Sequence, residues 1–508
     1  MEEIKCEVIE LSKEEALEFY KAYNDKCNAY QLALLTMSFD MSTIAPVDGS
    51  EYRIQMMSIL SGELFEYQTA KENIKNLTEL SNMDLDEIMN KEIKLVLKNV
   101  NKIALLPKEF YIKMKQVYSQ GEITWRKAKQ EKDYQFFKES LKEIVDITKQ
   151  AYTYYGIKKS FYDDMLGDFE TGMTIEKYEH FFGAIKQRLV PFIKMLNEKG
   201  TPIDDSLLHQ HFEESKQVQV IDILKEYMGF NQNECYIGTS EHPFTEGFSL
   251  HDVRITTKYM EDSLTSSIFS TIHEYGHAIY MLHVDEKLEG LNVGRDMMNG
   301  MHESQSRFLE NYIAKRKSFW INNFPKVKNI FYEQLKDVTL EQFFQMINVF
   351  KPSLIRTEAD ELTYPLHILI RYELEKEMIN GSVDFERLDE IWADKYEQYL
   401  GIRPYDASVG ILQDIHWSAG EFGYFPTYAL GSAFGAQFLK TMMNDIDIDE
   451  QLEHNHFDII ERWLREHIHC LGALYQADEI FDKVCHEPFN PNIYIDYLID
   501  KYSKLYRL

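Results

Sequence analysis

The chain has 508 residues, 44% of them hydrophobic and 13% aromatic, enough apolar material for a sizeable core and too much for a disordered polymer. A formal net charge of −29 excludes nonspecific attachment to nucleic acid or to anionic membranes, since either polyanion repels it. Five scattered cysteines (Cys6, Cys27, Cys235, Cys470, Cys485) give no disulfide framework and fit a reducing compartment.

The acidic opening MEEIKCEVIE lacks the basic start and apolar core of a signal peptide, so a soluble, cytoplasmic protein is expected. From there to about residue 200 the apolar periodicity predicts helix after helix: 13–37, 51–66, 84–101, 108–118, 134–155 and 175–196. Breaks at Ala45-Pro46-Val47-Asp48-Gly49-Ser50 and Leu106-Pro107 mark the joints, and no flexible tether follows.

Between 233 and 259 Gly, Pro and Thr become frequent, and the alternating run from Asp252 to Thr256 is the best β-ribbon in the chain. Directly after it comes SLTSSIFSTIHEYGHAIYMLHV, residues 263–284. Ile268, Ile272, Tyr275, Ile279 and Leu282 recur at three- and four-residue steps, the stripe of a buried amphipathic helix. On that helix His273 and His277 stand one turn apart on one face, with Glu274 beside them. This is the His-Glu-x-x-His arrangement of zinc peptidases, in which two imidazoles reach one ion and the adjacent carboxylate takes a proton from water. A random chain of this composition would hold the pattern about 0.08 times.

A third ligand is needed. His283 would suit a metzincin-like string, but Tyr280 stands where that string needs a helix-breaking glycine, and six residues of helix turn His283 away from His277. Glu303, in NGMHESQSRFLENYIAKR, is the better candidate: Asn299-Gly300 is a turn signal, and Met301, Phe308 and Tyr312 give the following segment a helical period.

Beyond Glu303 the pattern is helical again, over 354–379 with a kink or joint expected at Pro365, and over 392–400, 446–466 and 471–482. Between these, 410–431 is dense in polar and aromatic groups but aperiodic, as an active-site wall or an aromatic packing loop would be. The run 422–439 carries Gly423, Pro426, Gly431 and Gly435 and reads as a buried loop and helix, not a membrane span. His454, His456, His467, His469 and Cys470 match no ligand spacing and predict no second metal site.

Taken together these stretches resemble the carboxypeptidase Taq family of zinc carboxypeptidases. The resemblance rests on HEYGH and on His242-Pro243-Phe244, Asp252-x-Arg254-x-Thr256, His302-Glu303-Ser304-Gln305, Ile355-Arg356-x-x-Ala359-Asp360 and Gly410-x-x-Gln413-Asp414-x-His416-Trp417. Asp40 with Pro46, Trp125 and YDDMLGDFETG (162–172) extend it more loosely into the first half. Phe39 stands where the family has tryptophan and Thr171 where proline is usual, departures that bear on local packing.

The resemblance implies a mostly α, saddle-shaped fold with a deep groove and a small β-ribbon beside the zinc helix, usually a homodimer. The chain is then a single domain, 1–508, with 1–200 forming a groove wall and 201–508 the catalytic part. The implied activity is removal of single residues from peptides with a free C-terminus, with broad tolerance. His273, His277 and Glu303 are expected to hold zinc, with cobalt able to replace it, and Glu274 to act as general base. The resemblance points to Arg356, and then Arg254, for the substrate carboxylate, to His242 as a further substrate contact, and to Tyr428 and His416 for the developing oxyanion. Asp360 or Asp414 is expected to orient a ligand imidazole. Two rivals are an oligopeptidase that cuts internal bonds and a non-catalytic helical peptide-binding protein.

Overall fold

The computed structural model describes residues 12–508; the acidic opening segment and Cys6 lie outside the described residues. Helix dominates, as the periodicity predicts. A capping box in which Ser12 and Glu15 satisfy each other's backbone opens the first helix, Lys13–Thr43. With Ser50–Gln68, Lys71–Ser81 and Glu87–Ala104 it closes a small core around Tyr20, Tyr23, Leu77, Leu80 and Ile93. Between Ala128 and Tyr506 most buried hydrophobic side chains join one larger core, while Ile147 and Ala151 pack with Leu106 and Met114 in a small separate cluster.

Some boundaries differ from the sequence reading, each for a local reason. The helix expected to stop at Tyr118 continues to Glu131, because its later half is polar and only Gly121 and Ala128 are buried there. At Pro365, where a kink or a joint is expected, the chain has the joint: Pro365 sits in the first turn of Tyr364–Asn380, where its missing N–H costs nothing, after a single 3-10 turn at Arg356–Glu358. The run 446–466 divides into Ile448–Glu453 and Phe457–His467, separated by Asn455 at φ 60°. The run 471–482 is helical only over Ala477–Ile480, passing into a π-helical turn at Phe481–Cys485.

The expected ribbon is a three-stranded sheet, ordered β1-β3-β2. Strand β1 (Cys235–Thr239), which the sequence reading missed, pairs parallel with β3 (Asp252–Thr257), and β2 (Thr245–Ser249) pairs antiparallel with it. Val253 and Ile255 point into the core, and the sheet packs against the helix that carries HEYGH, Leu264–Leu282. Ser263 caps that helix by accepting from the Ser266 N–H.

Three helices then converge. The Glu303 helix (Asn299–Arg307) runs on into a π-helical turn, Phe308–Ala314, and lies between the HEYGH helix and the helix Phe425–Asp445. Two glycines set these spacings. A Cβ on Gly276 would fall 2.6 Å from the Gln305 carbonyl oxygen and from Ser306 Cα, and one on Gly431 would fall 2.6 Å from Glu303 Cβ. Glu170, from YDDMLGDFETG, tethers the start of the Glu303 helix by accepting from the Gly300 N–H at 2.7 Å, and burial pushes its carboxyl up to about 8. The two departures from the family pattern, remote in sequence from the metal motifs, both reach this region. Phe39 packs edge-on against Phe244 and Phe248 of the sheet, and Thr171 contacts the Met298 sulfur just before the Glu303 helix.

A methyl at Gly276 should therefore destabilise the fold by about 1–3 kcal/mol through overpacking. Gly183→Ala, in a helix with nothing within 4 Å of the new methyl, should be neutral or stabilise by up to about 1 kcal/mol. Denaturant unfolding of both variants checks the contrast, and equal behaviour would refute the clamp.

Candidate metal centre

His273 and His277 project from one face of the HEYGH helix, and Glu303 meets them from the helix packed across it. Among the described residues these three form the one group of three whose ligand atoms all lie within 4.8 Å of one another. The Glu303 Oε2 is 3.7 Å from His273 Nε2 and 3.4 Å from His277 Nε2. Two imidazole nitrogens and a carboxylate oxygen are a donor set suited to a divalent ion, and a single ion between them would satisfy all three.

The tautomers fit the same use. His273 Nδ1 lies 2.9 Å from Glu310 Oε2. Glu310 can only accept, so Nδ1 carries the proton and the Nε2 lone pair faces Glu303. Burial raises the Glu310 carboxyl, but Arg307 and His273 outweigh it and hold the group at about 2, ionised. His277 Nδ1 lies 2.6 Å from His302 Nδ1, so one ring must donate and the other accept. Burial, and then His277, depress His302 to about 3, which keeps it neutral. Donation from His277 Nδ1–H to His302 leaves the His277 Nε2 lone pair free for an ion, and puts the remaining proton on His302 Nε2, a buried atom with no partner among the described residues.

Arg307 binds the whole arrangement together. Its Nε donates to Glu303 Oε1 at 2.7 Å, its Nη1 to Glu310 Oε2 at 3.0 Å, and its guanidinium lies 4.2 Å from the centre of the Tyr364 ring. Burial opposes ionisation of Glu303, yet Arg307 and the two imidazoles hold its carboxyl far below the usual range. Glu274 is buried beside the triad's helix face, and Thr245 of β2 donates to its Oε2 at 2.6 Å.

A second cluster centres on Arg356 and Asp414. Arg356 is buried, with Nε and Nη2 both on Asp414 Oδ1, at 3.0 and 2.9 Å. Arg371 takes the other Asp414 oxygen, while Arg356 Nη1 bonds to none of the described residues. The Arg356 guanidinium faces the Tyr428 ring at 5.0 Å, and Tyr428 OH is 3.1 Å from His416 Nε2. Burial, and then Arg356, depress His416 to about 3. Tyr428 lies three residues before Gly431, the point at which its helix meets Glu303, and so shares that face.

The structure does not bring every expected residue to these clusters. Arg254 is engaged by Asp252 at 2.9 and 2.7 Å and lies over the Phe248 ring, and His242 stands exposed in the β1–β2 loop. The expectation that Asp360 or Asp414 orients a ligand imidazole is incorrect. Asp360 caps the turn at Leu362 and Thr363, and Asp414 is committed to two arginines; Glu310 and His302 do the orienting. His283 turns away, as its spacing implied, to His469 and Glu461. Glu310, Arg307 and Thr245 were missed. Glu303, Arg307 and Glu310 follow one another at steps of four and three residues, a one-face spacing that would have exposed Arg307 and Glu310.

Comparison with known proteins agrees with this geometry. The family model described as Carboxypeptidase Taq (M32) metallopeptidase matches residues 19–502. Carboxypeptidase 1 of Bacillus subtilis is 38% identical over 483 residues, covering 94% of this chain and 96% of the relative. The solved Pyrococcus furiosus carboxypeptidase superposes with a TM-score of 0.92 at 32% identity, covering 96% of this chain and 99% of the other. The M32 carboxypeptidase of Deinococcus radiodurans R1 does so with a TM-score of 0.93 at 29% identity, covering 97% of this chain and 100% of the other. The chain belongs to the carboxypeptidase Taq (M32) family of metallopeptidases, enzymes that use a divalent metal to hydrolyse peptides.

Proposed function

We propose that this carboxypeptidase uses zinc held by His273, His277 and Glu303 to release single residues from the free C-termini of peptides. The single observation that supports the reading best is the convergence of those three side chains with Glu274, beside a buried arginine that has an uncommitted N–H edge. When bound, zinc, or cobalt in its place, supplies a Lewis acid that polarises the scissile carbonyl and acidifies water. Thr245 occupies Glu274 Oε2, so Oε1 is the oxygen that takes the proton from attacking water and later delivers it to the leaving amine.

Arg356 recognises the terminal carboxylate. Asp414 aligns its fork through Nε and Nη2, and Nη1 remains for the substrate. Tyr428 and His416 serve the oxyanion. The buried His416 Nδ1 has no partner among the described residues, so Nε2 is the ring atom that engages Tyr428. With the proton on Nε2, His416 donates to the Tyr428 oxygen and leaves the Tyr428 O–H to donate to the carbonyl oxygen as charge develops. Arg254 and His242 line the sheet side and contact the substrate further from the scissile bond.

In this reading residues 1–200 contribute a groove wall to a single domain, and 201–508 carry the chemistry. The enzyme works as a cytoplasmic homodimer. The free thiols of Cys27, Cys235, Cys470 and Cys485 support a reducing compartment, and no helix of the described residues is long and apolar enough to cross a membrane.

Glu274→Gln should lower kcat by about 10²–10⁴-fold while zinc content stays near one per chain, measured by atomic emission. Arg356→Lys should cut the preference for free over C-terminally amidated peptides by about 10–100-fold, read from kcat/KM on matched pairs. An internal-cutting oligopeptidase would instead cleave the amidated and free forms equally well before any substitution. Glu310→Gln should weaken zinc affinity by about 10–100-fold in chelator competition, with partial rescue by Glu310→Asp; unchanged affinity would remove Glu310 from its orienting role.

A further inference from the structure

Away from the metal centre, a cavity of about 910 Å³ opens between the helix Glu87–Ala104 and the segments around 152–174 and 472–480. Four lysines line it from one helix, Lys91, Lys94, Lys98 and Lys102, at steps of three, four and four, so they form a single stripe. Lys158 and Lys159 face it from the opposite segment. Six carboxyl groups line the same cavity, so what matters is where the lysines lie away from them.

Only two of the six lysines are neutralised locally: Lys91 by Glu87 at 3.2 Å, and Lys102 by Asp168. Among the described residues Lys94, Lys98, Lys158 and Lys159 have no carboxylate within 4.0 Å. Of the other carboxyl groups in the same cavity, Asp296 lies 3.7 Å from Arg295 and four accept from backbone N–H groups. Asp163 accepts from the Ile175 N–H at 2.8 Å, Asp164 from the Lys158 N–H at 2.7 Å, Glu479 from the Gln476 N–H at 2.8 Å, and Glu170 from the Gly300 N–H. Lys98 is held below the usual lysine range by the surrounding walls, and further by Lys102 and Lys158, against the pull of Asp168. An anion entering the cavity relieves that repulsion.

The stripe also constrains the ligand's length. Eleven residues separate Lys91 from Lys102, about 16 Å along a helix. A single phosphate or carboxylate meets one lysine pair, whereas a short chain of linked phosphates can reach from the unpaired Lys94 and Lys98 toward Lys158 and Lys159, each ammonium acting as a point charge. Tyrosine rings close the two ends: Lys91 lies over Tyr475 at 3.6 Å and Lys102 over Tyr155 at 4.8 Å. The floor is made by Tyr280 from the HEYGH helix and by Met298 and Met301 at the start of the Glu303 helix.

We propose that this lysine-walled cavity is a binding site for an extended small-molecule oligophosphate, separate from the peptide site and resting on the back of the two metal-binding helices.

Tripolyphosphate is the probe, in equilibrium dialysis against the zinc-loaded protein at low ionic strength and at about 0.15 M salt. One saturable site with a Kd below about 1 mM is expected, weaker at the higher salt. The double variants Lys94→Glu with Lys98→Glu, and Lys158→Glu with Lys159→Glu, change exposed side chains and should each weaken binding at least ~10-fold. Lysine acylation read by mass spectrometry on the unmodified protein should show these four residues protected by tripolyphosphate. Absence of saturable uptake overturns the proposal. So does uptake that both double variants leave intact, which chelation at the metal centre would give. Equally tight binding of a C-terminally amidated triglutamate would assign the cavity to acidic peptide instead and also overturn it.

Discussion

The candidate metal centre depends on burying one ionised carboxylate, Glu303, among partners that make its charge tolerable. A carboxylate taken out of water without compensation would protonate and be lost as a ligand. Here Arg307 covers one oxygen at 2.7 Å, and the two imidazole nitrogens face the other. That arrangement requires three helices to meet more closely than side chains normally permit, and Gly276 and Gly431 are the points where they do so. The architecture around the site follows: the sheet that steadies the HEYGH helix, and Glu170 that fixes where the Glu303 helix begins.

The parts of this site that were legible in the sequence are those whose geometry a regular helix dictates. His273, Glu274 and His277 follow from a turn of 3.6 residues, and the apolar stripe identified the buried face. Glu303 was accessible because a turn signal and a helical period flanked it. Thr245 was not: nothing in a threonine at a strand start announces that it will grip a glutamate on a neighbouring helix. Asp414 was noticed but misassigned, because its motif position suggested a metal-side role whereas the buried Arg356 and Arg371 demanded a counter-charge first. The later half of Lys108–Glu131, where the predicted helix ended too early, buries only Gly121 and Ala128.

Two oppositely built electrostatic environments sit side by side. At the candidate metal centre carboxylates predominate, a setting suited to a cation, and Glu310 stays ionised beside His273. Around Arg356, two arginines share one aspartate, so the balance is cationic and His416 is kept neutral. In the proposed function, a peptide whose scissile carbonyl meets a Lewis acid and whose terminus carries a carboxylate matches both at once, so charge as well as shape would orient it.

The π-helical turn at Phe308–Ala314 carries one residue more than a regular coil needs. Excising any one residue there would restore an even backbone ladder, yet it would swing either Glu310 or the buried Tyr312 and Ile313 by about 100° around the axis. The irregularity reconciles two demands that a uniform coil could not meet together, one from the imidazole above it and one from the packed interior below. An apparently surplus amino acid is therefore among the least dispensable in the chain.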